Sequence, residues 1–533
     1  MDIRDKIKEV EDYRKVKLLG GGAKAIEDQH TRRNKLFCRE QLELFFDPGT
    51  FQEENLWDGH IKTGFDIDQR ELTDQGVVTG IGKVNGRPVY SYIHDFTVVG
   101  ATQHLANTNK VTRVMEKARE LMIPYVGMID SGGASIHDNF GRVASRPIVG
   151  GANTAFTRGN MTNVPLNSGI IPQISLMIGP CYAGSAYSPI MADFVIMRRV
   201  TSFMSVASPG LLKSVTFKDV TYEEIAGAEM HAAVTGSNDF LVDSDEEAID
   251  TCRRLLSYLP QNYLEKTPVV DTGDDPNRRD EELLDIVPVD LSAPYDMHDV
   301  ITRIVDKGSF LETQALYATS MITGFARLDG RAVGIVANNP AENEGRLDLN
   351  TSDKQARFIR FCDAFNIPLV IFVDTEGFLP SVEEELSPQG LLRRAAKPVF
   401  AICEATVPKV SVIVGKSWGP GRLAMGIPRQ GMDMVFAWPQ SQVCQMAPKK
   451  VVGKIWKDEI AQADKPDEVR QSKLKELLET YIKFPYHGAE YLMVNEIIDP
   501  RDTRPALIRR LEYLANKKEP WPVPWKKHSL IPR

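Results

Sequence analysis

Four short stretches of this chain carry residues able to do chemistry: "DSGGAS" (130–135), "GPCYAGSAYSP" (179–189), "DTEGFL" (374–379) and "KSWGPGRL" (416–423). Cys181 invites a nucleophile reading, but no histidine or acid is patterned beside it, which favours a packing role. The small residues offer different chemistry. A glycine turn that opens a helix exposes backbone N–H groups, and the helix dipole adds positive potential there. Two such turns converging on one oxygen make an oxyanion hole, with preorganised donors aimed at charge that grows in the transition state. Small side chains are needed because a Cβ obstructs a reactant approaching the backbone. The turn Ser131, Gly132, Gly133 and the turn "CYAGSA", which ends in Gly184, Ser185 and Ala186, are the candidates for one hole. The turn Glu376, Gly377, Phe378 and the turn "SWGPGR", which runs into Arg422 and Leu423, are the candidates for another. The competing reading of each turn is close packing of helix on sheet.

The elements that must position these turns recur. "VVTGIGKVNGRPV" (77–89) returns as "MITGFARLDGRAV" (321–333), so Thr79 and Thr323 stand 244 residues apart. The same spacing carries Lys110 onto Lys354, Arg113 onto Arg357, Asp130 onto Asp374 and Gly133 onto Gly377. Farther on, "IIPQISLMIGPCYAG" (170–184) matches "TVPKVSVIVGKSWGP" (406–420), now 236 residues away. Each copy runs strand, helix, strand, which predicts crossover connections and a largely buried sheet, an α/β fold built by internal duplication. The polar, breaker-rich "VVDTGDDPNRRDEELL" predicts a linker over 269–284 between domains at 1–268 and 285–533. Lys110 and Arg113 either reach a phosphate or ride an exposed face.

Composition excludes several classes. With 533 residues, 42% hydrophobic and 26% charged, the chain is long enough for two or three globular domains. A net charge of −8 with no basic block argues against nucleic acid. Six scattered cysteines form no CxxC pair, so neither a zinc site nor a disulfide scaffold is expected, and no metal. The charged, helical amino terminus lacks a signal-peptide pattern, and no apolar run reaches the roughly 18–20 residues of a membrane span. A cytoplasmic protein without membrane insertion is expected. His94, His104, His137 and His231 lack recognisable partners, and Glu383–Glu385 suits a solvated helix face.

"IDSGGA", "GPCYAGSAYSP", "ADFVIM", "RFCDAFNIPLVIFVDTEGFLP", "EATVPKV", "FAWP" and "KKHSLIPR" closely resemble the carboxyltransferase (β) subunits of biotin-dependent acyl-CoA carboxylases, propionyl-CoA carboxylase most of all. The resemblance runs from about residue 30 almost to the end. It implies two tandem crotonase-like (ClpP/crotonase) ββα superhelix domains, a homohexamer built as a trimer of dimers, and an active site shared between neighbouring subunits. Acyl-CoA would bind in the first domain and carboxybiotin in the second. It further implies that a carboxyl group moves between carboxybiotin and the α (or vinylogous) carbon of the acyl-CoA through an enolate. Gly133, Ala134, Ala183 and Gly184 would hold the enolate oxygen, and Gly377, Phe378, Pro420 and Gly421 the biotin ureido oxygen. None of the 17 methionines precedes a lysine, and no glycine-rich phosphate loop appears, so biotin carrier and biotin carboxylase are expected on partner chains.

The second hole departs from the family's pattern. Family members show Gly-Gly-Ala or Gly-Ala-Gly where this chain has Gly419, Pro420, Gly421, and proline has no N–H to donate. Arg422 and Leu423 replace a Tyr-Asp pair, and Ser135 replaces an arginine. These changes leave open a carboxylase with an unusual acyl group, an acyl-CoA decarboxylase using the same enolate hole, and a catalytically silent scaffold subunit.

Overall fold

The structure, a computed structural model, describes residues 2–59, 64–69, 72–135, 137, 142–143, 146–147, 159–517, 526–528 and 530. It divides into two compact units, one from the amino terminus to Glu265 and one from Lys266 onward, and Lys526, His528 and Leu530 cluster with the first.

The first unit is built on a seven-stranded sheet. Its strands are β1 (Gln52–Glu54), β2 (Val77–Val84), β3 (Arg87–His94), β4 (Tyr125–Ile129), β5 (Gln173–Met177), β6 (Phe194–Arg198) and β7 (Phe240–Val242), in that spatial order. β1, β2 and β3 pair antiparallel; every later neighbour is parallel. β4, β5 and β6 are buried along their whole length, as apolar strands covered on both faces must be. Helix α1 (Leu105–Leu121) makes the crossover from β3 to β4, opening where the His104 N–H donates to Asn107 Oδ1 at 2.9 Å. Val111, Val114, Met115 and Ala118 turn its apolar stripe into the core with Tyr90, Tyr125 and Met177.

The second unit's main sheet follows the same order: β8 (Leu311–Thr313), β9 (Met321–Leu328), β10 (Arg331–Asn338), β11 (Leu369–Thr375), β12 (Lys409–Trp418), β13 (Met434–Ala437) and β14 (Glu496–Ile497). Register matches as well as order. Val77 opposes His94 in the first unit and Met321 opposes Asn338 in the second, both partners 244 residues on. Tyr90 opposes Tyr125 just as Gly334 opposes Leu369. Tyr125 opposes Gln173 as Leu369 opposes Lys409, with the second partner shifted by 236. Helix α2 (Leu349–Ala364) is the counterpart of α1, opened by Asp348, whose carboxylate accepts from the Thr351 N–H at 2.7 Å.

The predicted linker is not one. Residues 269–284 bind along the second unit: the Val270 N–H donates to Gly330 O at 3.0 Å and Thr272 Oγ1 to Asp306 at 2.8 Å. Asp274 accepts from Arg278 at 3.0 Å, and the fully buried Arg504 bonds the backbone there while pairing with Asp306 at 2.8 Å. Most of the segment stays exposed, yet Thr272, Asp274 and Arg278 use their polar groups to hold it against the second unit. The expected assignment of the carboxyl terminus to the second domain also changes, because Lys526 Nζ donates to Ser168 O at 3.2 Å and the Leu530 N–H to Ser168 Oγ at 2.9 Å, both within the first unit. No helix among the described residues is long and apolar enough to cross a membrane.

Candidate active site

In the first unit the chain leaves β4 through Asp130 and Ser131 into Gly132, Gly133 and Ala134. Gly133 has φ +94°, a conformation open to glycine and costly for other residues. A Cβ there would meet open space, so conformation and not crowding selects glycine. Main-chain bonds fix the turn: Gly133 O accepts from the Gln103 N–H at 2.7 Å, and the Ser135 N–H donates back to Gln103 O at 2.7 Å. Gly133's own N–H is taken by Ser131 Oγ at 3.2 Å. Between these bonds the exposed Ala134 keeps an N–H with no partner among the described residues.

The second unit repeats this bond for bond. Gly377 has φ +116°; its O accepts from the Leu347 N–H at 3.0 Å, the Leu379 N–H donates to Leu347 O at 2.7 Å, and its N–H goes to Thr375 Oγ1 at 3.1 Å. The Phe378 N–H has no partner among the described residues.

The second turn of each pair follows the next strand. After β5, residues Pro180–Tyr182 form a short strand beside Phe203–Ser205, and the chain then enters the 3-10 turn Ala183–Ala186. Ala183 has φ +54°, a left-handed conformation that costs a non-glycine residue about 1 kcal/mol or more. Ala183 and Gly184 are exposed, and a Cβ on Gly184 would meet nothing. In the second unit Gly419 adopts φ +56° and Pro420 φ −65°, opening the short helix Gly421–Ala424. By the 236-residue spacing the partners of Ala183 and Gly184 are Gly419 and Pro420. The left-handed position is thus alanine in the first unit and glycine in the second. The Gly419 N–H donates to Cys444 O at 3.2 Å, Pro420 has none, and the unbonded N–H on this turn belongs to Gly421. Gly421 is buried because its turn lies on the first one: a Cβ on it would stand 2.6 Å from Gly377 Cα. The two turns of this unit are thus in contact.

Beneath each pair lies a buried aspartate. A Cβ at Gly179 would fall 1.8 Å from Asp130 Oδ1 and one at Gly415 2.0 Å from Asp374 Oδ2, so only glycine lets the strand pass. Burial raises both carboxyls, Asp374 to about 6, while paired groups oppose the rise. Those groups differ: Lys35 Nζ reaches Asp130 at 3.0 Å, whereas Asp374 accepts from Tyr295 Oη at 2.9 Å and from the Lys416 N–H at 2.9 Å.

Other candidates divide. Lys110 is turned inward, its ammonium donating to Val77 O at 2.7 Å and Asp58 at 2.8 Å, and Lys354 likewise caps Gln314 O and Tyr317 O at 2.9 and 2.8 Å. The structure thus removes Lys110 from the substrate-binding set, because a buried ammonium must be fully hydrogen-bonded and these oxygens do so. Arg113 is exposed on α1 without an ion pair among the described residues. Ser185 Oγ is turned back to Tyr182 O at 2.5 Å. Arg422 and Leu423 are half-buried beside Pro420, and burial holds the Arg422 guanidinium below its usual range. Cys181 is buried in the core and its thiol is pushed up to about 12, which suits packing and not attack. His94, held down to about 4 by burial, accepts from the Asp130 N–H at 3.3 Å. His231 is bonded to Met204 O and Thr235 Oγ1.

Comparison with known proteins places the chain in a family. The carboxyl transferase domain model matches residues 29–531. The propionyl-CoA carboxylase carboxyltransferase subunit of Haloferax mediterranei is 41% identical over 532 residues, covering 100% of both chains. The methylmalonyl-CoA decarboxylase subunit alpha of Veillonella parvula is 42% identical over 513 residues, 96% of each. The crystal structure of transcarboxylase 12S, a hexamer with methylmalonyl-coenzyme A bound, superposes with a TM-score of 0.92 at 39% identity, covering 100% of this chain and 99% of that one. With a family model over nearly its whole length and relatives near 40% identity end to end, this chain belongs to the carboxyl transferase domain family.

Proposed function

We propose that this chain is the carboxyltransferase subunit of a biotin-dependent acyl-CoA-converting enzyme. It moves a carboxyl group between carboxybiotin on a partner chain and the α-carbon of an acyl-CoA of the propionyl or methylmalonyl type. The observation that carries this reading is the pair of matched turns, each presenting unbonded N–H groups on a rigid strand end. Such donors suit an enolate and a ureido oxygen, the two places where this reaction develops negative charge. In this reading the two units are crotonase-like ββα superhelix domains that arose by duplication, supported by their common strand order and register. The protein works as a homohexamer with biotin carboxylase and biotin carrier partners, in the cytoplasm.

Biotin supplies the activated carboxyl group and, once that is gone, a basic ureido nitrogen. The residues of the first unit bind the thioester: the Ala134 and Gly184 N–H groups hold the oxygen on which enolate charge collects, and no side-chain base is needed. The second unit fits a ureido oxygen through the N–H groups of Phe378 and Gly421, while Pro420, which stands where the first unit has Gly184, has no N–H to offer. The likeness to a methylmalonyl-CoA decarboxylase subunit supports, as a second reading, the same half-reaction run toward decarboxylation.

The test combines the full chain with its biotinylated carrier and follows ¹⁴C-bicarbonate fixation and decarboxylation over a panel of acyl-CoAs. Turnover with propionyl- or methylmalonyl-CoA is expected. No turnover in either direction, with CoA thioesters still bound, would reject both readings in favour of a silent scaffold.

A further inference from the structure

The second unit's turns rest on an ion triad with no counterpart among the described residues of the first unit. Glu376, immediately before Gly377, accepts from Arg346 at 2.6 Å and from Lys416 at 3.4 Å. Lys416 stands on β12 just before the Trp418–Gly421 turn, with its side chain 5% exposed and its ammonium 5.9 Å from the Trp418 ring centre. Its backbone N–H is separately held by Asp374. Arg346 also reaches Glu344 at 2.5 Å. At the corresponding places the first unit has Thr102, Gly132 and Pro180, none of which can join an ion pair. The two units share a backbone pattern, but their charges differ: the first has the Lys35–Asp130 pair beneath its turns, and the second places a carboxylate in the turn itself at Glu376.

We infer that Lys416 and Glu376 are positioning residues for the second turn pair. They tie the Glu376–Phe378 segment to the strand that delivers Pro420 and Gly421, and so aim the two free N–H groups at one acceptor. Those N–H groups sit on separate stretches of chain, Pro420 adds none beside Gly421, and a displacement of about 1 Å between such groups can cost about a hundredfold in rate. Lys416 is nearly enclosed, so its ammonium depends on the two acidic groups beside it, Glu376 at 3.4 Å and the buried Asp374. Burial pushes the Glu376 carboxyl upward, but the Arg346 bond and the Lys416 charge outweigh it and keep the group ionised.

The catalytic half of this inference rests on the proposed function; the mechanical half does not, and two readouts separate them. The full chain is compared as wild type, Lys416→Met, Lys416→Arg and Glu376→Gln. The first readout is carboxyl transfer from methylmalonyl-CoA to free biotin. Lys416→Met is expected to lower kcat at least about tenfold with KM for methylmalonyl-CoA unchanged, and Lys416→Arg to recover to within about threefold. The second readout is amide hydrogen exchange over residues 374–379, expected to rise about tenfold or more in Lys416→Met and to stay near wild type in Lys416→Arg. Unchanged exchange in Lys416→Met overturns the inference, whatever the catalytic result. Faster exchange with wild-type kcat overturns the positioning role. A wild type that transfers nothing to biotin overturns the proposed function instead, and the exchange readout alone then decides the tie.

Discussion

Replacing Pro420 by alanine adds a single N–H at the place where the first unit has Gly184, with little else disturbed. Pro420 sits at φ −65° and ψ −23°, ordinary helical values that alanine adopts without strain, and it is exposed, so no packing is lost. The unfolded chain gains freedom, which costs about 0.4–1 kcal/mol of stability. Against that, one oxyanion-hole donor changes kcat by about 10² to 10³, or roughly 2.7–4 kcal/mol of transition-state stabilisation. A rate gain of up to about a hundredfold in carboxyl transfer between methylmalonyl-CoA and biotin is expected, confined to kcat, since the first unit's turns are untouched. The reciprocal variant grafts the second unit's turn onto the first, Ala183→Gly with Gly184→Pro. The glycine is included because position 183 is left-handed and Gly419 holds the same conformation before its proline. That variant should lose about 10² to 10³ in kcat. Stopped assays at saturating acyl-CoA, with thermal melts to verify folding, measure both. If Pro420→Ala stays within about twofold of wild type while the reciprocal variant collapses, position 420 is no donor site and the correspondence of the two turn pairs fails as a functional statement.

Lys110→Met should unfold the protein earlier rather than weaken CoA binding, because it strands Asp58 and two carbonyls; a loss of about 3–5 kcal/mol by urea titration is expected, with KM for the thioester unchanged in what remains folded. His298, hydrogen-bonded by Glu312 and Asp296 and thereby raised to about 9, adds stability that is complete below its ordinary value of 6.5. That contribution is lost as pH climbs through about 9, so Tm should fall over this window in wild type and less in His298→Gln. Cys181→Ala should keep most of the activity, and iodoacetamide at pH 8 should label the exposed Cys403 and leave Cys181 unmodified in mass spectra of the native protein.

How much of this was legible in the sequence depends on whether main chain or side chain carries the feature. The ungapped spacing from Thr79 to Gly133 predicts a common backbone, and the bonds around Gly133 and Gly377 match one for one, because such bonds need only a peptide unit and a residue tolerant of positive φ. Lys110 was not legible: a lysine on an amphipathic helix has the same pattern whether it turns to water or back over the end of β2. The Glu376 triad joins residues 30 and 40 positions apart, invisible to local pattern, although a glutamate opposite Gly132 in the repeat is a signal. Residues 269–284 misled for a related reason, since charges that satisfy Arg504 and Asp306 have the composition of a solvated loop.

The main-chain clasp around each first turn has a consequence for redesign. Gln103 and Leu347 each grip their turn from both sides, by N–H and by C=O, so the direction of the intervening N–H is set without help from the side chain at that position. The chain itself demonstrates the tolerance, with a methyl group at 134 and a benzyl group at 378 on the same backbone. These two positions can therefore be varied as adjustable lips, reshaping what each cradle admits while the donor that does the chemistry stays where it is.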